Sequence, residues 1–524
     1  MNLVRAAATV GSLTLASRVL GFLRDLLIAA VLGAGAAADA FFVAFKLANM
    51  LRRLFAEGAF NAGFVPLFAR TLEQEGPEPA RAFASHALTV MMAILAAVVL
   101  VAELAMPWLV RALATGFEPG SERYLLAVEL SRLTFPYLML ISLAALLSGV
   151  LNGIGRFAAA AFAPILLNLA LVASIGLAVA TRSSAAHALA WGVLAAGFLQ
   201  LGTLAMVAAR TGWRLRPRWP RGGADRARLA RLWCLVLPGA LGAGVYQLNL
   251  VIDTWFASHL PTGAVSYLFY ADRLVQLPLG LIGVALGTAL LPLLARQLRG
   301  GRDEAARHNF DRALELALLL SLPAAVGLGT LAGPIVTVLF ERGAFDRAAG
   351  EATAAALTAF ALGLPAYVLI KVLATGFFAR EDTKTPVLVA ALCLLANVGV
   401  ILATIGTWGH VGIALATSTA SWLNAGLLAF LLARRGAMEP SPRLRGRALR
   451  LAALNLALAL LLLLAVGKAP AIATASGLAL TIAAAAALYL TAVHFFRAAD
   501  LGEIRAALVR RPAAPASTGS EGAA

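Results

Sequence analysis

Residues 4–32 read VRAAATVGSLTLASRVLGFLRDLLIAAVL. The run is longer than the roughly 20 apolar residues that cross a hydrocarbon core about 30 Å thick. Beyond Arg5 at its start, two basic side chains, Arg18 and Arg24, interrupt it. A second apolar run, from Ala36 to about Phe68, carries Lys46, Arg52 and Arg53. On insertion scales each charge at a helix centre costs about 2.5–3.5 kcal/mol, and Asp25 and Asp39 offset only part of that. Charges of this kind face a bundle interior or a water-filled cavity and mark a substrate path. The expectation is a polytopic membrane protein with a cationic chamber for an anionic substrate.

Composition supports the class. The 524 residues are 61% hydrophobic and 13% charged, with a mean hydropathy of +0.85. A soluble chain would be about one quarter charged. The net charge of +17 would suggest nucleic acid in a soluble protein, but a membrane protein gathers Lys and Arg in its cytoplasmic loops. Cys234 and Cys393 both lie in apolar segments and form no CxxC pattern, so they read as small buried residues. The first apolar run is too long, and too charged, for a cleaved signal peptide, and is expected to stay as a helix.

Reading apolar runs between charged or Gly/Pro-rich breaks gives about fourteen spans. Their limits are 5–32, 37–68, 83–110, 124–151, 157–181, 186–209, 230–258, 264–296, 309–340, 350–379, 386–406, 411–433, 448–467 and 472–496. An even count places both termini on one side. About 29 of the Lys and Arg residues fall on that side and about 6 on the other, which predicts cytoplasmic termini. The basic breaks also argue for topology over nucleic-acid binding.

An internal repeat divides the chain further. Phe64-Val65-Pro66-Leu67-Phe68-Ala69-Arg70 is echoed by Leu290-Leu291-Pro292-Leu293-Leu294-Ala295-Arg296 at an offset of 226. Pro136 and Asn168 recur as Pro365 and Asn397 at an offset of 229. A duplicated six-helix unit keeps its orientation, so the halves should be related by a pseudo-two-fold axis along the membrane normal. The expected parts are a first lobe at 1–222, a second at 223–436, two further helices at 437–497, and a disordered tail at 498–524.

On an ideal helix Asp39, Lys46 and Arg53 share one stripe of the second span, with Asn49 beside it. Ser17, Gly21 and Arg24 align in the first span, next to Arg18. Periodicity alone favours Arg53 over Arg52 as the partner of Lys46. Arg273, in the eighth span, stands near the repeat equivalent of Lys46, with Gln276 one turn on. A cationic group from each half would clamp a polyanion, and arginine suits bidentate phosphate contacts. Asp253, one turn after Asn249, is a lone intramembrane carboxylate and a candidate cation or proton site. The chain has no GxxxxGK[ST] loop, HExxH or GxSxG motif. An ion gradient or membrane potential is therefore expected to drive it, with no ATPase or other enzyme activity.

The stretch Ser17-Arg18-Val19-Leu20-Gly21-Phe22-Leu23-Arg24-Asp25 closely resembles the first-helix signature of the MurJ (MviN) lipid II flippases, of the MOP exporter superfamily. The run from Asp39 through Lys46 and Asn49 to Phe60 resembles the family nearly residue for residue, as do Tyr270 to Leu274 and Asp382 to Pro386. The resemblance implies two six-helix lobes around a cationic cavity, two C-terminal helices lining a groove for a lipid tail, and alternating access in the bacterial inner membrane. The implied substrate is lipid II, an undecaprenyl-pyrophosphate-linked peptidoglycan precursor. Membrane lipids and the cell-wall synthesis machinery are the other implied partners. Arg18, Arg24, Arg52 and Arg273 are implied contacts of the pyrophosphate, supported by Asp39, Lys46 and Asn49; here the family favours Arg52 over Arg53. Asp253, Asn397 and Thr417 match a sodium-site pattern, although Ile401 stands where a second carboxylate is expected, so sodium or proton coupling is a candidate. Many relatives carry an acid in place of Gln276. The rival reading is a cation-coupled multidrug or organic-ion antiporter of the same superfamily, which would want an acidic cavity where the interiors of spans 1 and 2 hold Arg18, Arg24, Lys46, Arg52 and Arg53 against Asp25 and Asp39. A membrane enzyme or scaffold is a third reading, and it lacks any metal or nucleophile constellation.

Overall fold

The structure, a computed structural model, describes residues 3–55, 59–439 and 441–500; of 3–7, 51–55, 59, 61, 62, 237–246, 284 and 470 it describes the backbone alone. Runs rich in Ala and Leu, strong helix formers, make every long element helical, and the described residues contain no strand. In chain order the α-helices are α1 (Leu3–Leu32), α2 (Ala36–Phe55), α3 (Ala59–Glu75), α4 (Pro77–Leu113), α5 (Glu122–Thr134), α6 (Tyr137–Gly153), α7 (Phe157–Thr181), α8 (Ala185–Arg210) and α9 (Gly223–Ser258). Then come α10 (Ala264–Pro278), a π-helical turn (Leu279–Gly283), α11 (Val284–Arg299), α12 (Asp303–Thr330), α13 (Ala332–Phe340), α14 (Arg347–Phe378), α15 (Lys384–Arg434), α16 (Pro442–Lys468) and α17 (Ala475–Phe495).

Ten helices among the described residues are long and apolar enough to cross a membrane. The expected count was about fourteen. One of the ten, α15, holds two expected spans joined at Gly409, where φ is 51° and ψ −127°. The first, second and seventh expected spans fall on α1, α2 with α3, and α9, which are outside the ten. Charge explains α1 and α2: Arg18, Arg24 and Asp25 lie in one, Asp39, Lys46, Arg52 and Arg53 in the other.

The chain packs as two compact units. The first comprises Met1–Gln276, Ala332–Phe360 and Thr383–Asn424; the second comprises Leu277–Leu331, Ala361–Asp382 and Ala425–Ala524. In the first unit α1 lies on α7, α2 on α5, α3 on α9, and α6 and α7 on α8. Buried aromatic rings join α2 to α10: Phe42 stacks on Phe269 at 3.8 Å between centroids and meets the edge of Tyr270 at 5.3 Å. Tyr270 also contacts Phe340 and Phe345, and its hydroxyl donates to the Gly33 carbonyl at 3.0 Å. Gly33 has φ +66°, which a glycine adopts without strain, and this ends α1. The Ala344 N–H then donates to the Ala30 carbonyl at 2.8 Å. These ties fix the end of α1 against α10 and set the facing surfaces that carry the charged residues.

In the second unit α12 packs on α16 and touches α17. The Arg447 guanidinium meets Glu315 at 2.6 Å, and the Tyr489 hydroxyl donates to the Leu319 carbonyl at 2.9 Å. Ser441 caps α16 by accepting from the Leu444 N–H. Leu456, Leu460, Leu463 and Leu464 of α16, with Leu480 and Leu488 of α17, stay exposed, as lipid-facing side chains do.

Candidate functional site: a shared carboxylate under two arginines

The site lies within the first unit. Arg24 is buried near the end of α1, beside Asp25. Its Nε and Nη2 donate to Asp25 Oδ1 at 2.9 and 2.6 Å, and its Nη1 donates to Asn168 Oδ1 at 2.9 Å. A guanidinium carries five N–H groups. Three are engaged in these bonds and two are not. The other oxygen of Asp25, Oδ2, is 3.4 Å from Arg273 Nε on α10. One carboxylate therefore holds two guanidinium groups whose residues are far apart in sequence. Arg273 also lies over the Phe269 ring at 4.7 Å, a cation–π contact that orients its plane. Its Nε is buried without a hydrogen bond.

Asn168, on α7, is itself fixed. Its Nδ2 donates to the Ser17 carbonyl at 2.9 Å. Its amide faces Gly21, where a Cβ would lie in ordinary contact, 3.4 Å from Asn168 Nδ2. Arg18, one residue from Ser17, is exposed and forms no ion pair among the described residues. The side chains of Arg52 and Arg53 lie outside the described residues.

Lys46 donates from Nζ to Thr254 Oγ1 on α9 at 3.1 Å, and the charges acting on it come from Asp253, Asp272, Arg273 and Asp39. Asn49 donates to the Phe45 carbonyl one turn back at 3.0 Å. Asp272 accepts from the Gln276 amide. The neighbourhood is thus less cationic than α1 and α2 suggest alone, because α9 and α10 bring Asp253 and Asp272 into it.

Asp39 is fully buried and spans from α2 to the start of α10. Its Oδ2 accepts from the Gly263 N–H at 2.7 Å, and its Oδ1 from the Ser266 N–H at 2.9 Å and the Ser266 hydroxyl at 2.6 Å. These are N–H groups that the first turn of a helix leaves open, and a carboxylate is the natural group to close them. Arg123 of α5 adds its charge at 3.6 Å. Asp39 holds the helix on which Arg273 rides.

A second polar cluster joins α9 and α15. The Asn397 amide donates to Asn249 Oδ1 at 2.9 Å and to Asp253 Oδ1 at 3.2 Å, and the Thr417 hydroxyl donates to Asp253 Oδ2 at 3.4 Å. The Asn397 carbonyl oxygen is buried without a hydrogen-bond partner. Ile401, one turn on, is fully buried. The three residues marked in the sequence as a candidate cation site are therefore together, with Asn249 as a fourth. Sequence reasoning gave Thr254, Ser266 and Arg123 no role, and Asp25 only a partial charge offset. Asn168 stood out only as a repeat marker; its offset to Asn397 was the available signal.

Comparisons with known proteins agree on one family. The family model described as Lipid II flippase MurJ matches residues 28–493. The probable lipid II flippase MurJ of Rhizobium tropici is 45% identical over 440 residues, covering 83% of this chain and 82% of that protein. The lipid II flippase MurJ of Burkholderia cenocepacia is 38% identical over 471 residues, covering 87% and 90%. Among solved structures, a lipid II flippase MurJ in an inward closed conformation superposes with a TM-score of 0.79 at 24% identity, over 93% of this chain and 98% of that one. An inward-facing multidrug MATE transporter of the MOP superfamily superposes with a TM-score of 0.70 at 16% identity, over 82% and 98%. At those identities the structural likeness speaks for the fold.

Proposed function

The chain belongs to the lipid II flippase MurJ family, and we propose that it carries the lipid-linked peptidoglycan precursor from the cytoplasmic to the outer leaflet of the inner membrane. The observation that supports this most directly is the Asp25 carboxylate shared by Arg24 and Arg273. It sets two guanidinium groups side by side with N–H groups to spare, which suits the adjacent phosphates of a pyrophosphate. Arg18 is a mobile-reach contact at the exposed side of α1, and Arg52 completes the set that the family implies. Asp39 and Lys46 support from behind, Asp39 through α10 and Lys46 through Thr254; Asn49 lies one turn from Lys46.

The precursor's headgroup enters from the cytoplasmic side, where both termini lie by the distribution of Lys and Arg. Two six-helix lobes, 1–222 and 223–436, rock about the bound headgroup and expose it outside. The polyprenyl tail stays in lipid along α16 and α17, whose exposed leucines suit it, so only the polar end needs shielding. The cell-wall synthesis machinery takes the product.

A coupling cation suits the α9–α15 cluster. Asp253, Asn249 and Thr417 carry oxygen ligands of the kind a hard cation takes, and the buried Asn397 carbonyl oxygen, which has no hydrogen-bond partner, adds another if the Asn397 amide turns from Asp253 to let the ion in. A bound cation would neutralise Asp253. A proton on Asp253, or the membrane potential alone, are the competing sources of drive. The multidrug-antiporter reading is not favoured: the family match runs through most of the chain.

Purified protein in liposomes with labelled precursor tests the function. Flipping by the wild type is expected, with Arg24→Ala and Arg273→Ala abolishing it while insertion is unchanged. Full activity of both variants, or none from the wild type, would overturn the assignment.

A further inference from the structure

Arg24 and Asp253 are separated by 229 residues, and so are Asn168 and Asn397. In the first repeat Asn168 on α7 hydrogen-bonds Arg24 on α1 at 2.9 Å; in the second, Asn397 on α15 hydrogen-bonds Asp253 on α9 at 3.2 Å. In sequence the repeat was visible as the Phe64–Arg70 echo and as matching Pro and Asn positions, which give no chemistry alone. The structure places the same asparagine against the same charged position in both copies, with the sign of the charge reversed. An asparagine suits both places because its amide both accepts and donates. Toward Arg24 it accepts with Oδ1; toward Asp253 it donates with Nδ2.

We infer that Asn168 is the positioning residue of the anion-facing couple. It holds Arg24 so that the two unengaged N–H groups meet the substrate's pyrophosphate, as Asn397 holds Asp253 in the cation-facing couple. The inference rests on the reading of Arg24 as a pyrophosphate contact. Three features make Asn168 more than a packed side chain. It is buried, 5% exposed, so water does not replace its bonds. Its other end is anchored on the Ser17 carbonyl at 2.9 Å, which leaves its Oδ1 a fixed target for Arg24. Its amide also packs against Gly21, four residues from Ser17 and three from Arg24, so it sits directly on the face of α1 that carries Arg24. Asp25 alone grips one edge of the guanidinium and leaves the group free to swing about that edge; Asn168 supplies the second point.

The test is a double-mutant cycle on the full-length protein in nanodiscs, read as affinity for undecaprenyl pyrophosphate and for the uncharged polyprenol of the same length. Asn168→Leu keeps the branching and the heavy-atom count and removes the hydrogen bonds to Arg24 and Ser17. It is expected to weaken pyrophosphate binding about tenfold, to leave polyprenol binding within twofold, and to add nothing to the loss in Arg24→Ala, because residues that act through one another are not additive. Asn168→Ala, which needs no extra room, repeats the cycle if the leucine variant does not fold. Wild-type pyrophosphate affinity in both variants, an equal loss for polyprenol, or full additivity with Arg24→Ala would overturn the inference. If Arg24→Ala itself left pyrophosphate binding intact, the proposed function would fail first, and the two failures are thereby separate.

Discussion

Asp25 is the residue on which the two arginines depend. Removing one partner of a buried ion pair leaves an uncompensated charge and costs about 3–5 kcal/mol. Asp25→Asn keeps the shape and deletes the charge under Arg24 and Arg273, so it should lower the thermal midpoint clearly. A pyrophosphate ligand supplies the missing anion, so it should raise that midpoint more in Asp25→Asn than in the wild type. Thermal scans with and without undecaprenyl pyrophosphate check both signs; an unchanged midpoint without ligand would mean that the shared carboxylate does not hold the pair. At this scale the sequence was informative about chemistry and poor about partners. Helical periodicity put Asp39 and Lys46 on one stripe of α2; in the structure Asp39 is buried and Lys46 half-buried. Yet they serve different neighbours, Asp39 the start of α10 and Lys46 the Thr254 hydroxyl. A wheel gives a direction from one axis and says nothing of which helix stands opposite.

Among the elements, the apolar runs were legible because a span needs length and hydrophobicity, and both are written locally. Their interruptions were less so. Pro136 separates α5 from α6, a π-helical turn follows Pro278, and Gly409 bends α15, each inside what hydropathy reads as one run or two. The end of α1 shows a glycine whose need is tertiary. Gly33 combines φ +66° with a backbone neighbour: a Cβ there would run into the Ala344 carbonyl. Left-handed backbone costs a side-chain-bearing residue about 1–2 kcal/mol before the collision is counted. Gly33→Ala should therefore lower the thermal midpoint and the flipping rate together. Gly35→Ala is the control, because nothing lies within 4 Å of the Cβ it would add. Equal effects in the two variants would show that the contact between α1 and the Ala344 segment does not matter.

For the whole molecule, the fold does not choose the substrate. The chain superposes on a MurJ and on a MATE transporter with TM-scores of 0.79 and 0.70, so one backbone arrangement serves different cargoes. What separates them lies in the side chains that this backbone brings together, here the Arg24–Asp25–Arg273 bridge and the Asp253 cluster. A transporter built from two copies of one unit can give each copy a task. The first copy would bind the anion that is moved, and the second a cation whose gradient does the work. Asp253→Asn would separate these tasks, since it removes the charge a cation would meet there and changes neither arginine. An inward potential of 100 mV supplies about 2.3 kcal/mol per charge, close to 50-fold in a distribution at equilibrium. An imposed sodium gradient should therefore raise flipping in wild-type liposomes severalfold and leave Asp253→Asn unresponsive, while the variant keeps its affinity for undecaprenyl pyrophosphate within about threefold. Sodium replaced by potassium at equal potential isolates the ion from the voltage. If the variant still follows the sodium gradient, the cluster is not the coupling site; if the wild type ignores sodium but follows voltage, the charge that moves is not sodium and the drive is the potential itself.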